Sequence, residues 1–371
     1  KSEVSLKSIT KNKIISSNIE VATRSILLKD FIKFVRAKNN EPQLFLLEKI
    51  VKDGHIILNL SFNIDDNGKI KDDYKIKGLI KNTSIKFLNQ SEFKNINLNF
   101  NIKKNNYNLK DIVFETEKVI FISEKINIKK RKNNFSVNGI LKNDNSNFHA
   151  NIFKLVNLNF GSLDTEGTKF TSNNKFSVEV DNKFNFENFI LSTDLNINQF
   201  KYKKPKIIDD YFIDIKDKVL LKNHKINLNY KNGILSAKGE GEILLENEID
   251  KIKYTVIKKQ KDLNINADLF SKNINLKRQD FLKTFFSEIN EKINFNNQEI
   301  NIKYNKNNLS ISGKGKLKIK DDFEQIDYLF EKKENEIKFD TKLNLKNTNF
   351  KIDNINYKKK EKTNMLLQIK G

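Results

Sequence analysis

The chain reads as mainly β: an elongated, repetitive antiparallel sheet curled into a groove, with a few short amphipathic helices. Three observations predict this. First, apolar residues recur at every second position. Ile96, Leu98, Phe100 and Ile102 alternate with Asn and Lys, as do Phe176, Val178 and Val180, then Leu263, Ile265, Ala267 and Leu269, then Ile337, Phe339, Thr341, Leu343 and Leu345. A period of two sends successive side chains to opposite faces of a strand, and one apolar plus one polar face marks an antiparallel sheet with one wet side. Second, one stretch is written three times without a gap: KINIKKRKNNFSVNG at Lys125–Gly139, KINLNYKNGILSAKG at Lys225–Gly239 and EINIKYNKNNLSISG at Glu299–Gly313. Third, residues Leu191–Leu276 align on Ile265–Phe350 at an offset of 74. Gly239 and Gly241 meet Gly313 and Gly315, and Tyr230 and Tyr254 meet Tyr304 and Tyr328. In a chain rich in Asn, Lys and Ile, the rarer glycines and tyrosines carry the weight of that alignment.

The elements follow in order. Leu27, Leu28, Phe31, Ile32 and Val35 make one apolar helical stripe. A second short helix is expected over Pro42–Lys52, stopped by Gly54. Strands are expected near 55–63, 74–80, 93–102, 107–115, 118–130 and 135–142. Asn67-Gly68 and Asn232-Gly233 suit tight hairpins, because both residues of each pair tolerate positive φ. The helical stripe returns at Ile207, Ile208, Tyr211, Phe212 and Ile215, and again at Phe281, Leu282, Phe285, Phe286 and Ile289. Pro205 suits a first turn and Asp280 an N-cap. Each unit thus reads as one helix and about four strands, stacked on a shared core. Residues 1–190 form a less regular β-rich segment with N-terminal amphipathic helices, and residues 191–371 the repeat region. Both are expected to belong to one continuous elongated fragment of a longer protein.

Composition excludes several classes. With 37% apolar residues and 29 Phe among 371, the chain is too hydrophobic for a disordered polyelectrolyte. No run approaches the roughly 18 apolar residues of a membrane-spanning helix. The absence of Cys removes disulfides, thiolate metal sites and Cys nucleophiles. His55, His149 and His224 lie far apart in sequence, so no metal site is expected, and surface or rim positions are. Asp65–Gly68 lacks the spacing and twelfth-position Glu of a calcium loop. GKGK at Gly313–Lys316 lacks phosphate-loop spacing, and no catalytic signature occurs. No enzymatic activity and no cofactor are expected. The net charge of +22 comes from lysines spread along the strands rather than gathered into an arm.

Gly54–Leu88 (GHIILNLSFNIDDNGKIKDDYKIKGLIKNTSIKFL), Phe93–Glu115 (FKNINLNFNIKKNNYNLKDIVFE), the KINIKK…FSVNG pair and Phe350–Gly371 (FKIDNINYKKKEKTNMLLQIKG) resemble the AsmA-like proteins of Gram-negative bacteria, particularly the YhdP/TamB-like members. The resemblance covers most of the chain and rests on strand cadence and glycine-turn placement. It implies a periplasmic bridge whose curled sheet conducts phospholipids in an apolar groove toward the outer membrane. It also implies an inner-membrane anchor in a segment that this chain, opening on Lys1, does not contain. The family has no catalytic residues.

A one-faced sheet of this length needs cover: a second sheet, the stripe helices, or acyl chains. The candidate lining of a lipid groove is Leu98, Phe100, Ile102, Ile126, Ile128, Phe176, Val178, Ile226, Leu228, Leu263, Ile265, Ile300, Ile302, Ile337, Phe339 and Leu343. Any one of these residues serves equally well as ordinary core, so the functional expectation attaches to the continuous strip. The partners expected are phospholipids and the inner or outer membrane, with no nucleic acid. The alternative is a basic repeat module for surface or nucleic-acid binding. That would need aromatics among the lysines for stacking, whereas the alternation sets them on the opposite face.

Overall fold

The computed structural model describes residues 3–371 apart from 12–13, 39–41, 66, 68, 87–91, 133, 149–162, 182, 184, 205, 207–208, 210, 213 and 335. It is 71% strand and 8% helix, and its long antiparallel sheet is not closed into a barrel. The chain divides into two compact units. Residues 1–159, 169–194 and 230–232 form the first, and residues 160–168, 195–229 and 233–371 the second.

The first unit begins with β1 (Glu3–Lys11), β2 (Ile14–Ala22) and β3 (Ile26–Leu27), followed by α1 (Leu28–Lys38) and α2 (Pro42–Ile50). Then come β4 (Val51–Ile64), β5 (Lys75–Lys86), β6 (Glu92–Lys103), β7 (Asn106–Thr116), β8 (Val119–Lys130) and β9 (Asn134–Asn147). After β10 (Leu163–Asp164), which belongs to the second unit, come β11 (Lys169–Asp181) and β12 (Phe186–Lys203), within which the two units meet in sequence. Antiparallel pairing runs from β4 to β9 in chain order and on to β11. Both β2 and β3 pair with β4. The apolar stripe of α1 covers the start of this sheet. Leu28 and Ile32 are buried with Ile50, Val51, Ile56, Leu58 and Phe100. Arg36 holds α2 through Glu48, Nε to Oε2 at 2.7 Å.

The second unit repeats itself strand for strand. β13 (Lys218–Lys231), β14 (Ile234–Leu244), β15 (Ile249–Lys259) and β16 (Asp262–Lys277) precede a one-turn helix, α3 (Leu282–Phe285). β17 (Lys292–Asn305), β18 (Asn308–Lys318), β19 (Phe323–Lys333) and β20 (Glu336–Leu345) follow, each starting 74 residues after its counterpart. A small ribbon, β21 (Phe350–Ile352) with β22 (Tyr357–Lys359), leads to β23 (Met365–Lys370), which pairs with β20. Asn232 and Gly233, at φ 51° and 76°, form the expected β13–β14 turn.

The strands do not keep one phase. In β13, Val219 and Leu221 face inward at odd positions, and His224, Ile226 and Leu228 at even ones. Asn223 lies between them at φ 52°. Asn297, at φ 49°, does the same in β17, and Asn95 and Asp111 do so in β6 and β7 at φ 52° each. An extra residue in the left-handed region is a bulge. It bends the strand and moves the next side chains to the other face, and Asn and Asp tolerate that backbone better than other non-glycine residues. Ladder registers shift at Lys94/Asn97 and Asn296/Glu299, beside these residues.

Several expectations are corrected. α2 ends at Ile50, and Gly54 sits inside β4 at φ +118°, where a Cβ would run into Thr83. Gly54 therefore serves a strand bulge and not a helix stop. Tyr211, Phe212 and Ile215 are not helical, and the 281–289 stripe yields only the single turn of α3. Pro205, Ile207 and Ile208 lie outside the described residues. The 278–291 loop joins two neighbouring antiparallel strands, β16 and β17, about 4.8 Å apart. A nine-residue helix would be about 13.5 Å long, and short helices are marginal alone, so the loop folds its apolar residues down as a plug. Phe286 and Ile289 are buried in the second unit's core, and Phe285 packs against it. Asp280 does not cap α3; the N-cap is Phe281, with no side-chain bond. Gly68 lies outside the described residues; around it Ile64 and Ile70 form an isolated antiparallel bridge, Asp65 N donates to the Lys69 carbonyl at 2.9 Å, and Asp65 Oδ1 accepts from the Asn67 and Lys69 amides at 2.9 and 2.8 Å, ahead of β5 at Lys75.

Two glycines are notches for aromatic rings. Gly239 pairs with Tyr254 and Gly313 with Tyr328, and each ring lies across its glycine. A Cβ on Gly313 would stand 2.3 Å from Tyr328 Cζ. We expect Gly313→Val to destabilise the chain by about 1–3 kcal/mol in urea titration, the usual cost of overpacking. Adding Tyr328→Ala should leave the double variant less unstable than the sum of the singles.

Candidate functional site

Burial changes along each strand of the second unit. In β20, Leu345 and Leu343 are 1% and 6% exposed, whereas Phe339 and Ile337 are 43% and 57% exposed. β17 runs from buried Ile293 through buried Gln298 to half-buried Ile300, Ile302 and Tyr304. β16 runs from buried Ile274, Leu269 and Ala267 to half-buried Ile265 and Leu263. One end of the apolar face is filled by Phe286, Ile289, Leu317, Ile319, Ile326 and Phe350. Toward the other end, near the 260–261, 306–307 and 334–335 turns, nothing among the described residues fills it. Tyr254, Ala267, Ile302, Ile311, Phe330 and Phe339 stand in register across six successive strands. Ala267 is buried, Phe339 exposed and the other four half-buried; this row is the candidate site.

The sixteen lining residues expected from sequence fall into different surroundings. Ile226, Leu228, Leu263, Ile265 and Ile302 are half-buried, and Ile337 and Phe339 exposed, all at the open end of the second unit; half-buried Ile300 packs against the core of Ile215, Val219, Ile243 and Leu269. Leu343 is in its closed core. In the first unit, Ile126, Ile128 and Phe176 are half-buried, and Val178 is 8% exposed. Leu98, Phe100 and Ile102 differ: they pack in the core that α1 covers.

The polar residues beneath the row are missing from the sequence reading. His224, expected at a surface or rim, is fully buried. Its ring lies 5.4 Å from Phe200 and 5.8 Å from Tyr254, between centroids. Nδ1 is 3.2 Å from Tyr254 Oη, and Nε2 is 3.1 Å from the Glu242 carbonyl. Gln298 occupies the same place 74 residues on, and its Nε2 donates to the Lys316 carbonyl at 2.9 Å. Each fills the notch over a glycine, Gly241 or Gly315. The signal was present: a polar residue directly after an Asn, where the phase changes. His55 is exposed, and His149 lies outside the described residues. Among the described residues no cluster could hold a metal ion.

Carboxylates tie down the closed end. Asp250, 1% exposed, accepts from the Lys272 amide at 2.8 Å and from Ser271 Oγ at 3.1 Å. Glu324, its counterpart, accepts from the Lys346 and Asn347 amides at 2.9 and 2.6 Å and from Thr348 Oγ1 at 2.9 Å. Glu246 accepts from Asn275 N and Nδ2 at 2.7 and 2.8 Å. Burial pushes the Asp250 and Glu246 carboxyls above their ordinary range. Burial likewise pushes the Tyr254 and Tyr328 hydroxyls up to about 12. Each of these groups completes a backbone or notch, so none is arranged around a reacting atom.

A trough of about 810 Å³ lies on the opposite, polar face of β15–β20. Phe270 and Leu329 stand there among Lys251, Lys253, Lys314, Lys342, Asp268, Glu299, Asp327 and Asp340. Phe270 is thus an aromatic on the lysine-bearing face, where the alternation predicts none. Comparison with protein-family models, curated proteins and solved structures returns no match.

Burial holds the His224 imidazole below its ordinary pKa of 6.5. The neutral form is then favoured in the fold. Its contribution is present above pH 6.5 and lost as pH falls through the folded value. Against a His224→Gln variant, wild-type stability should decline from pH 7.5 to 5.5, with a slope difference of at most about 1.4 kcal/mol per pH unit. Equal slopes in urea titrations would show that His224 does not titrate differently on folding.

Proposed function

We propose that this chain is a non-enzymatic lipid-binding segment whose apolar strip carries phospholipid acyl chains. In the envelope of a Gram-negative cell it would form part of a periplasmic bridge between inner and outer membranes, as the resemblance to AsmA-like proteins implies. The observation that carries the reading is the row at the open end of the second unit. Six in-register residues on six strands form an apolar strip in which Ile302, Ile311 and Phe330 stay half-buried and Phe339 exposed. Each CH₂ transferred from water to such a strip gains about 0.8 kcal/mol, so a few contacts along one acyl chain suffice. In the first unit α1 covers the apolar face around Leu98, Phe100 and Ile102, so the reading rests on the second unit.

The test is native mass spectrometry of the purified chain with lipid extraction. Phospholipid should copurify in near-integer amounts. The double variant Ile302→Asp, Phe339→Asp should lower occupancy at least tenfold while keeping the wild-type circular dichroism spectrum. A lipid-free wild-type chain that binds duplex DNA in a strongly salt-dependent way would overturn the proposal.

A further inference from the structure

We infer that the open rim of the second unit recognises the phosphate of an anionic phospholipid headgroup. This rests on the lipid reading above and adds selectivity to it. Three hairpin turns close the strands just beyond the apolar row. They join β15 to β16, β17 to β18 and β19 to β20. Lys258, Lys259, Lys261, Lys303, Lys306 and Lys332 stand on or beside these turns, all exposed. Among the described residues none of the six lies in an ion pair, although nearby Lys314, Lys333 and Lys338 do.

The opposite end differs in sign. Its two tight turns, Leu245–Glu248 and Ile319–Asp322, carry Glu246, Glu248, Asp321 and Asp322 against the single Lys320. At the open end Asp262, Glu331, Glu334 and Glu336 also stand by the turns, so the β19–β20 turn is balanced and the cationic excess lies on the 258–262 and 303–306 turns, at the end where the apolar face is less filled. Along the hairpins the order is fixed. Lys303 follows Ile302 directly but on the other face of β17, and Lys306 comes four residues after Ile302 in the turn. Lys332 comes two residues after Phe330, and Lys261 two before Leu263. Apolar first and cationic next is the order of a phospholipid read from acyl chain to phosphate. An anionic headgroup keeps its net charge at that point, whereas a zwitterionic one offsets it. Successive turns stand about 10 Å apart, two strand spacings, so neighbouring lysines act on the same surface within a Debye length. A nucleic acid would need a series of exposed aromatics for stacking beside the cations; Tyr304 stands at the β17–β18 turn with its hydroxyl on Asn307 Oδ1, and Tyr254 and Phe339 lie deeper along the strands.

The experiment presents the chain with vesicles of equimolar phosphatidylglycerol and phosphatidylcholine with identical acyl chains. Flotation then gives adsorption to the vesicles, and headgroup mass spectrometry gives the lipid carried off by the protein. We expect phosphatidylglycerol to be enriched about fivefold at low salt and the enrichment to fall as salt screens the rim. Lys258→Gln, Lys259→Gln, Lys261→Gln and Lys306→Gln together should abolish the enrichment without lowering total bound lipid. Lys251→Gln, Lys253→Gln and Lys342→Gln, on the polar face, should leave it intact. Equal uptake of both lipids would overturn the rim and leave the groove standing. Adsorption to phosphatidylglycerol that needs the rim lysines, with no lipid carried off, would support the rim and sink the groove. Rim-dependent binding of a DNA duplex with no vesicle adsorption would overturn both.

Discussion

The fold depends on a change of phase inside its strands. Period two puts a side chain on one face only while the count is unbroken, and a single extra residue sends everything after it to the other side. The bulges at Asn95, Asp111, Asn223 and Asn297 each insert that residue, and the sequence on either side is written in opposite phase to match. Without the bulge at Asn223, Ile226 and Leu228 would face water while Val219 stayed inside. The bend that comes with a bulge also separates the two halves of each strand, one half closed by a loop plug and the other open.

The two copies of the repeat show which details hold this arrangement. Equivalent places carry the bulge, the buried polar filler after it, the glycine notch and ring, and the buried carboxylate that receives the next strand's amide. The filler varies between His and Gln while its bond to a carbonyl persists. The requirement is thus a side-chain donor of roughly that length in a glycine-lined notch. A buried acceptor left without a partner costs about 1–3 kcal/mol, which explains why a polar residue stands in an otherwise apolar row. The carboxylates do the converse work, accepting amides that the ladder leaves over where strands turn into loops.

Strand positions were legible because alternation is a local signal, and the inward face was legible between the bulges, where β6, β7, β13 and β17 each keep one phase on either side of Asn95, Asp111, Asn223 and Asn297. The 74-residue offset was legible from Gly239, Gly313 and their tyrosines. The stripe at 27–35 became a helix, and the same spacing at 281–289 did not. Spacing reports which side chains are buried together, and a short loop between paired strands can bury them without a helix. Of the candidate site, the row was visible in Ile302 and Phe339. The fate of Leu98, Phe100 and Ile102 was not, since nothing local says that α1 folds back over them. His224 was misplaced because the bulge at Asn223 turns its side chain inward, which its strand neighbours alone do not show.

The distribution of charge follows from the same geometry. On the polar face, residues in register run Lys251, Phe270, Glu299, Lys314, Asp327 and Lys342. Opposite charges in directly facing positions stabilise a sheet, and like charges destabilise it. This face must therefore be near balance, and the trough there holds four cations against four carboxylates. A net charge of +22 cannot be stored in such a ladder. The turns have no facing partner across a ladder, so they can hold an excess of one sign with little repulsion through solvent. The closed-end turns place carboxylates where backbone amides need acceptors, which leaves the open-end turns to carry the lysines. The electrostatic polarity of each repeat is therefore set by how its strands are terminated, and the strands keep the apolar row and its cationic border at the same end.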